Sequence, residues 1–167
     1  MSDGRGILGA SRRRDTIMST NLTSIDPESI PKSPAFTQGM IIPAGPTLYV
    51  GGQNGIDSEG TLLEGLRAQT EQALRNVLAV LAEAGTGPDY VAKLTIYLTT
   101  GVDPNEAYAA SAAVWGEHRT AVTVIAVAEA RPGVLVEIEA VAAIPAPNLG
   151  RPGATRGTWV PGVPLEG

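Results

Sequence analysis

The chain of 167 residues has no cysteine and a single histidine, His118. The first absence excludes disulfides, thiolate nucleophiles and zinc–sulfur sites. A single histidine offers no histidine metal spacing, and because His118 is placed in an exposed loop no Ser-His-Asp set is credible. Aromatic residues make up only 4% of the sequence. No apolar run reaches the length that a membrane-spanning helix needs, about 18 residues. Positive charge is scarce too: between Pro31 and Pro145 stand 6 Lys and Arg against 12 Asp and Glu, and the whole chain carries −5. An acidic body without a basic stripe or many aromatics is a poor binder of polyanions, so neither nucleic acid nor a membrane is expected as partner.

Glycine is not scarce, but Gly51-Gly52-Gln53-Asn54-Gly55 lacks the Lys-Ser/Thr that a phosphate loop requires. Arg5, Arg12, Arg13 and Arg14 crowd the first 17 residues. No apolar stretch follows them, so they make no twin-arginine signal, and a cytoplasmic protein is expected. Met18-Ser19-Thr20 reads as an alternative start. Residues 1–30 are polar and without period, and are expected to be disordered. Residues 146–167, rich in proline and glycine, form a tail.

Residues 31–145 carry the folded unit, and hydrophobic residues at 43% of the chain suffice for one core. Gly39–Ile42 and Thr47–Gly51 read as strands joined at Gly45-Pro46 in a hairpin. Residues 63–84 predict a helix through Leu66, Thr70, Ala73, Leu74, Val77, Leu78 and Leu81, stopped by Gly85. Tyr90–Thr99 reads as a strand. Asp103-Pro104 starts a second helix that ends at Gly116. Thr120–Ala128 and Val134–Ala143 are read as a final hairpin turning at 129–133. Two helices then cover one face of a mostly antiparallel sheet and leave the other open.

The most informative segment is Leu135–Ala142. Its alternation puts Val136, Ile138, Ala140 and Ala142 on a core face, and Leu135, Glu137, Glu139 and Val141 on the open one. Carboxylates on a half-apolar face stand in solvent, at a subunit interface or in a wet cleft, where one of them can act as general base. An open face of this kind predicts oligomerisation.

In this order, several stretches resemble the RidA/YjgF family. They are Gly51-Gly52-Gln53, Gln69-Thr70 with Leu74-Arg75-Asn76-Val77, Lys93-Leu94-Thr95-Ile96-Tyr97 and Val136-Glu137-Ile138-Glu139-Ala140-Val141-Ala142. The resemblance spans about residues 31–145. It implies an α+β chorismate-mutase-like fold, assembled as a homotrimer around a central barrel with three clefts between subunits. It further implies hydrolysis of reactive enamines and imines such as 2-aminoacrylate, without metal or organic cofactor. An older family label is endoribonuclease, a reading that the acidic body and lone histidine disfavour.

Carried over residue by residue, the resemblance makes Glu137 the carboxylate that positions water. An arginine that clamps the substrate carboxylate opens the strand before the last. Arg119 is the candidate, although Glu117-His118-Arg119 stands where relatives read Pro-Ala-Arg, and counting back from Glu137 points to Ala121. Gly52 matches a strand-end glycine that approaches the ligand, or is simply a turn or bulge residue. Phe36 replaces a cleft tyrosine and lacks its hydroxyl. Asn105 matches an asparagine near the ligand, or serves its own helix start. The hairpin reading places Ile125 opposite Glu137, and so Arg119 roughly 20 Å away at ~3.3 Å per residue. A site using both must then lie between subunits.

Overall fold

The computed structural model describes residues 22–129 and 131–145. The alternative start at Met18 and the tail at 146–167 lie outside them. In chain order the elements are β1 (Thr23–Ile25), β2 (Gly39–Ile41), β3 (Thr47–Asn54), α1 (Leu66–Glu83), β4 (Val91–Thr99), α2 (Pro104–Trp115), β5 (Ala121–Val127) and β6 (Val136–Ala143). A four-stranded sheet runs β3-β6-β4-β5, with β4 and β5 parallel and the other pairs antiparallel.

The long helix forms where the apolar spacing predicts it. Leu66, Thr70, Ala73, Leu74, Val77 and Leu81 are buried against β3 and β6. Each fully buried leucine contributes about 2 kcal/mol of transfer free energy. On the outer face, Glu71 pairs with Arg67 at 3.7 Å and with Arg75 at 3.0 Å. Gly85 closes the helix at φ 71°, with Gly85 N–H donating to Ala82 O and Thr86 N–H to Leu81 O. Those two bonds are the Schellman pattern, which needs a left-handed residue at that point. At α2, the Asp103 carboxylate accepts the Asn105 N–H at 2.9 Å and Pro104 takes the first turn.

Buried polar wiring locks α1 to the sheet. Gln69 is 2% exposed. Its Nε2 donates to Leu63 O at 2.9 Å and Gly133 O at 2.8 Å, and its Oε1 accepts the Leu135 N–H at 2.8 Å. Gln69→Leu would leave three backbone groups without partners. We expect it to lower stability by about 3 kcal/mol, read from the urea midpoint at unchanged slope.

Three expectations need correction. First, β5 and β6 form no hairpin, because β4 lies between them. The connection straddles the end of β4: Thr100 N–H donates to Val127 O, Thr99 N–H to Leu135 O, and the Thr99 hydroxyl to Val134 O. The α2 crossover makes β5 parallel to β4, and β6, with Val136, Ile138, Ala140 and Ala142 all buried, takes the central position. Second, β2 pairs with β1 rather than β3. Pro43 and Pro46 interrupt the ladder that a hairpin would need. Third, β1 falls within the stretch read as unstructured, because Thr23–Ile25 finds Gly39–Ile41 as an antiparallel partner.

Candidate functional site

The candidate residues fall into two groups. The first is built on β3 and β6. Between Val50 and Gln53 the β3 register slips by one residue against β6, forming a bulge at Gly51-Gly52. The bulge brings the Gly52 backbone against the Glu137 carboxylate. A Cβ at Gly52 would collide with Glu137 Oε1 and lie 2.6 Å from its Cδ. Only glycine leaves room for the carboxylate in this position. Asn54 Nδ2 donates to Glu137 Oε2 at 3.2 Å and to Val136 O at 3.3 Å. The Asn54 amide donates, so it orients the Glu137 carboxyl group as an acceptor.

On β4, Tyr97 pairs with Glu137, and its hydroxyl donates to Glu139 Oε1 at 3.0 Å. That bond raises the Tyr97 pKa, with smaller pushes from desolvation and from the charges of Glu139 and Glu137. Glu139 is therefore paired within the sheet. Glu137 faces a cavity of about 230 Å³ that is also lined by Tyr97, Thr99 and Val127.

The second group gathers at the head of β5. Arg119 Nη2 donates to Phe36 O at 3.0 Å and Ser33 O at 3.1 Å, and lies 3.3 Å from Asp26 Oδ2. The other Asp26 oxygen accepts the Gln38 N–H at 2.9 Å and the Thr37 hydroxyl at 3.0 Å. Thr37 is buried, and its N–H donates to Thr120 O. Asp26 thus ties the segment before β2 to the start of β5. The Gln38 amide above all, with Thr37 and Arg119, holds the Asp26 carboxyl below its usual pKa, against an opposing push from desolvation. A depressed folded pKa stabilises above the unfolded value of ~3.9 and is lost as pH falls through the folded one. We expect Asp26→Asn to lower Tm at pH 7 and to flatten the acid limb of the stability–pH curve, the two proteins converging as pH falls through the folded pKa.

Ala121 begins β5 beside Lys93 and Thr37 and offers no polar group. Asn105 belongs to neither group. Its N–H and its Nδ2, at 3.1 Å, both bond Asp103 Oδ1, which is the helix-start role. His118 Nδ1 lies 2.7 Å from Asp89 Oδ1 on the surface. Asp26 escaped the sequence reading because it lies in a polar stretch without period. Asn54 lies beyond the strand that the sequence predicts at Thr47–Gly51, whereas β3 runs on to it.

The two groups stand apart within one chain. Tyr97 pairs with Glu137 on one side and Ile125 on the other, so those two residues are level but separated by a strand. Arg119 precedes Ile125 by six positions, roughly 20 Å at ~3.3 Å per residue. The separation along the strands is therefore the expected one, although β4 and not a hairpin turn relates β5 to β6.

The model for the family described as Endoribonuclease L-PSP matches residues 28–144. The chain is a member of the RidA/YjgF family. A RutC family protein of Pyrococcus horikoshii is 37% identical to this Rid protein over 120 residues, covering 69% of this chain and 92% of that one. The crystal structure of a Rid family protein of unknown function, YyfB from Yersinia pestis, superposes with a TM-score of 0.66 at 33% identity, over 74% of this chain and 98% of that one. RidA from an Antarctic Psychrobacter gives 0.56 at 31% identity, over 75% and 99%. With these neighbours, the two helices on a mixed sheet are the α+β chorismate-mutase-like fold. Among the described residues, no helix of this Rid protein is long and apolar enough to cross a membrane.

Proposed function

We propose that this Rid protein hydrolyses reactive 2-imino and enamine acids, such as 2-aminoacrylate, to 2-oxo acids and ammonia in clefts between the subunits of a homotrimer. The observation that carries the reading is the Glu137 carboxylate, held by Asn54 in a place that only a glycine at 52 leaves open. An iminium carbon is already electrophilic, so the chemistry asks for three things: a held carboxylate, a placed water and a route for ammonia. Glu137 accepts a hydrogen bond from the attacking water and can take its proton. Arg119, anchored through Nη2, keeps its other nitrogens for a substrate carboxylate.

Because the two groups lie at opposite ends of the strands, the reaction requires Glu137 of one subunit to face Arg119 of another. The open sheet face supports such an assembly. It presents Tyr49, 76% exposed, and Ile125, 40% exposed, beside Glu137 and Val141. A dehydratase-coupled assay for 2-aminoacrylate breakdown tests the activity, and sedimentation equilibrium tests the trimer. Arg119→Ala is expected to lower kcat/KM by about 100-fold or more, since both recognition and orientation of the carboxylate go with it. A silent Arg119→Ala, or no acceleration by the assembled wild type, removes the hydrolase. The second reading is a small-metabolite binder on the same scaffold. It is favoured by Phe36, which has the ring but no hydroxyl to order water, and by apolar Ala121.

A further inference from the structure

A cavity of about 770 Å³ does not contain Glu137. It lies between α2 and the helix-side face of β4 and β5. From α2 it is lined by Pro104, Ala107, Tyr108, Ser111, Ala112 and Trp115, spaced as one helix face and small apart from Tyr108 and Trp115. Opposite stand Leu94, Ile96, Leu98, Val122 and Val124. A helix that covers a sheet ordinarily fills this layer with large side chains. Here alanine and serine leave it unfilled, and its volume falls within the 300–1,000 Å³ or so of small-molecule sites. The cavity is open to solvent: Tyr108, 60% exposed, and Val124, 54% exposed, stand on its β5-edge side, and Phe36, Glu117 and Arg119 are exposed at the other end.

Charge at the far end selects the ligand. Phe36 and the turn from Trp115 to Thr120 wall that end, and Arg119 lines it. Glu117 and His118 line it as well, and His118 is paired with Asp89. Arg119 spends Nη2 on Asp26, Ser33 and Phe36, while Nε and Nη1 have no acceptor among the described residues. The cavity thus combines an apolar body, three aromatic rings (Phe36, Tyr108 and Trp115) and a cation with donors to give.

We propose that this cavity binds a bulky apolar monocarboxylate of the arylalkanoic class, its ring under α2 and its carboxylate on Arg119. The proposal shares with the reading above the role of Arg119 as a carboxylate clamp, but not hydrolysis. The test is calorimetric titration of the full-length protein with 1-naphthaleneacetate, beside acetate, 1-naphthaleneethanol and decanoate. The aryl acid should bind about tenfold tighter than the alcohol and about a hundredfold tighter than acetate, and Arg119→Gln should erase the difference between acid and alcohol.

Ser111→Phe, which fills the layer from α2, should weaken the aryl acid about tenfold while Tm holds or rises. Should that variant fail to fold, Ala107→Leu replaces it with the same expectation. No heat with the aryl acid, equal binding of acid and alcohol, or unchanged binding in a folded filled variant overturns the site. Tighter binding of decanoate overturns the aromatic class. Binding of the unreactive acid without 2-aminoacrylate turnover keeps this site and removes the hydrolase; turnover without binding does the reverse.

Discussion

Gly55→Ala is expected to destabilise the protein by about 4 kcal/mol, close to the upper end for a single added methyl. The glycine is buried where the end of β3 meets the first turns of α1. A Cβ there would collide with the Gln69 Cα and lie 2.6 Å from the Gln69 Cβ and 2.8 Å from its Cγ. A helix backbone cannot swing aside as a side-chain tip can. The surroundings are also bonded on every side. Leu63 N–H donates to Gly55 O at 2.9 Å, and Asn76 Nδ2 bridges Asn54 O at 3.0 Å and Ile56 O at 2.9 Å. To admit one methyl, α1 must move, and with it the Gln69 bonds to Leu63, Gly133 and Leu135. Thermal and urea unfolding of the variant beside the wild type measure the cost. A loss below about 1 kcal/mol, the level of ordinary surface changes, would mean that the two backbones do not approach this closely.

Gly52→Ala should do the opposite: keep the fold and lose the chemistry. Its added methyl meets the far end of the Glu137 side chain rather than backbone. The carboxylate can rotate away, so Tm should fall by only a few degrees, as for about 1 kcal/mol. The displaced carboxylate leaves the Asn54 amide at 3.2 Å and the position from which it would hold water. On the hydrolase reading, kcat falls by about 100-fold, the lower end of what a positioned general base supplies. Glu137→Gln, which keeps shape and loses charge, should match it. A Gly52→Ala protein with full turnover would show that Glu137 does not act from this place. The pair Gly52→Ala and Gly55→Ala, three residues apart, separates a glycine required by a functional group from one required by packing.

The tiers of the fold differed in how far they could be read in advance. Both helices, the start of the second at Asp103-Pro104 and the stops at Gly85 and Gly116 were legible, because caps and the 3.6-residue apolar spacing act over a few neighbours. The alternation in Val136–Ala143 likewise placed Ile138 inside and Glu137 on the opposite face. Strand partnership was not legible. Alternation states which face a residue takes, but not which strand lies beside it, so β5 and β6 read as a hairpin although β4 separates them. The pairing of β1 with β2 was hidden for the same reason: three residues with no pattern gain their order from a partner fourteen or more positions away.

At the site, the chain by itself determined the reagents: a carboxylate at 137, a guanidinium at 119, glycine at 52 and no thiol or second histidine. Tertiary structure alone decided their company. The bulge at Gly51-Gly52 set Asn54 on Glu137, the register through Tyr97 kept Arg119 at the far end of the strands, and Asp26 came from the polar head to hold it. The physical reason is range. Caps, turns and amphipathic periods are energies of near neighbours, whereas a carboxylate's partner and a cavity under a helix depend on side chains that folding brings together from opposite ends of the chain.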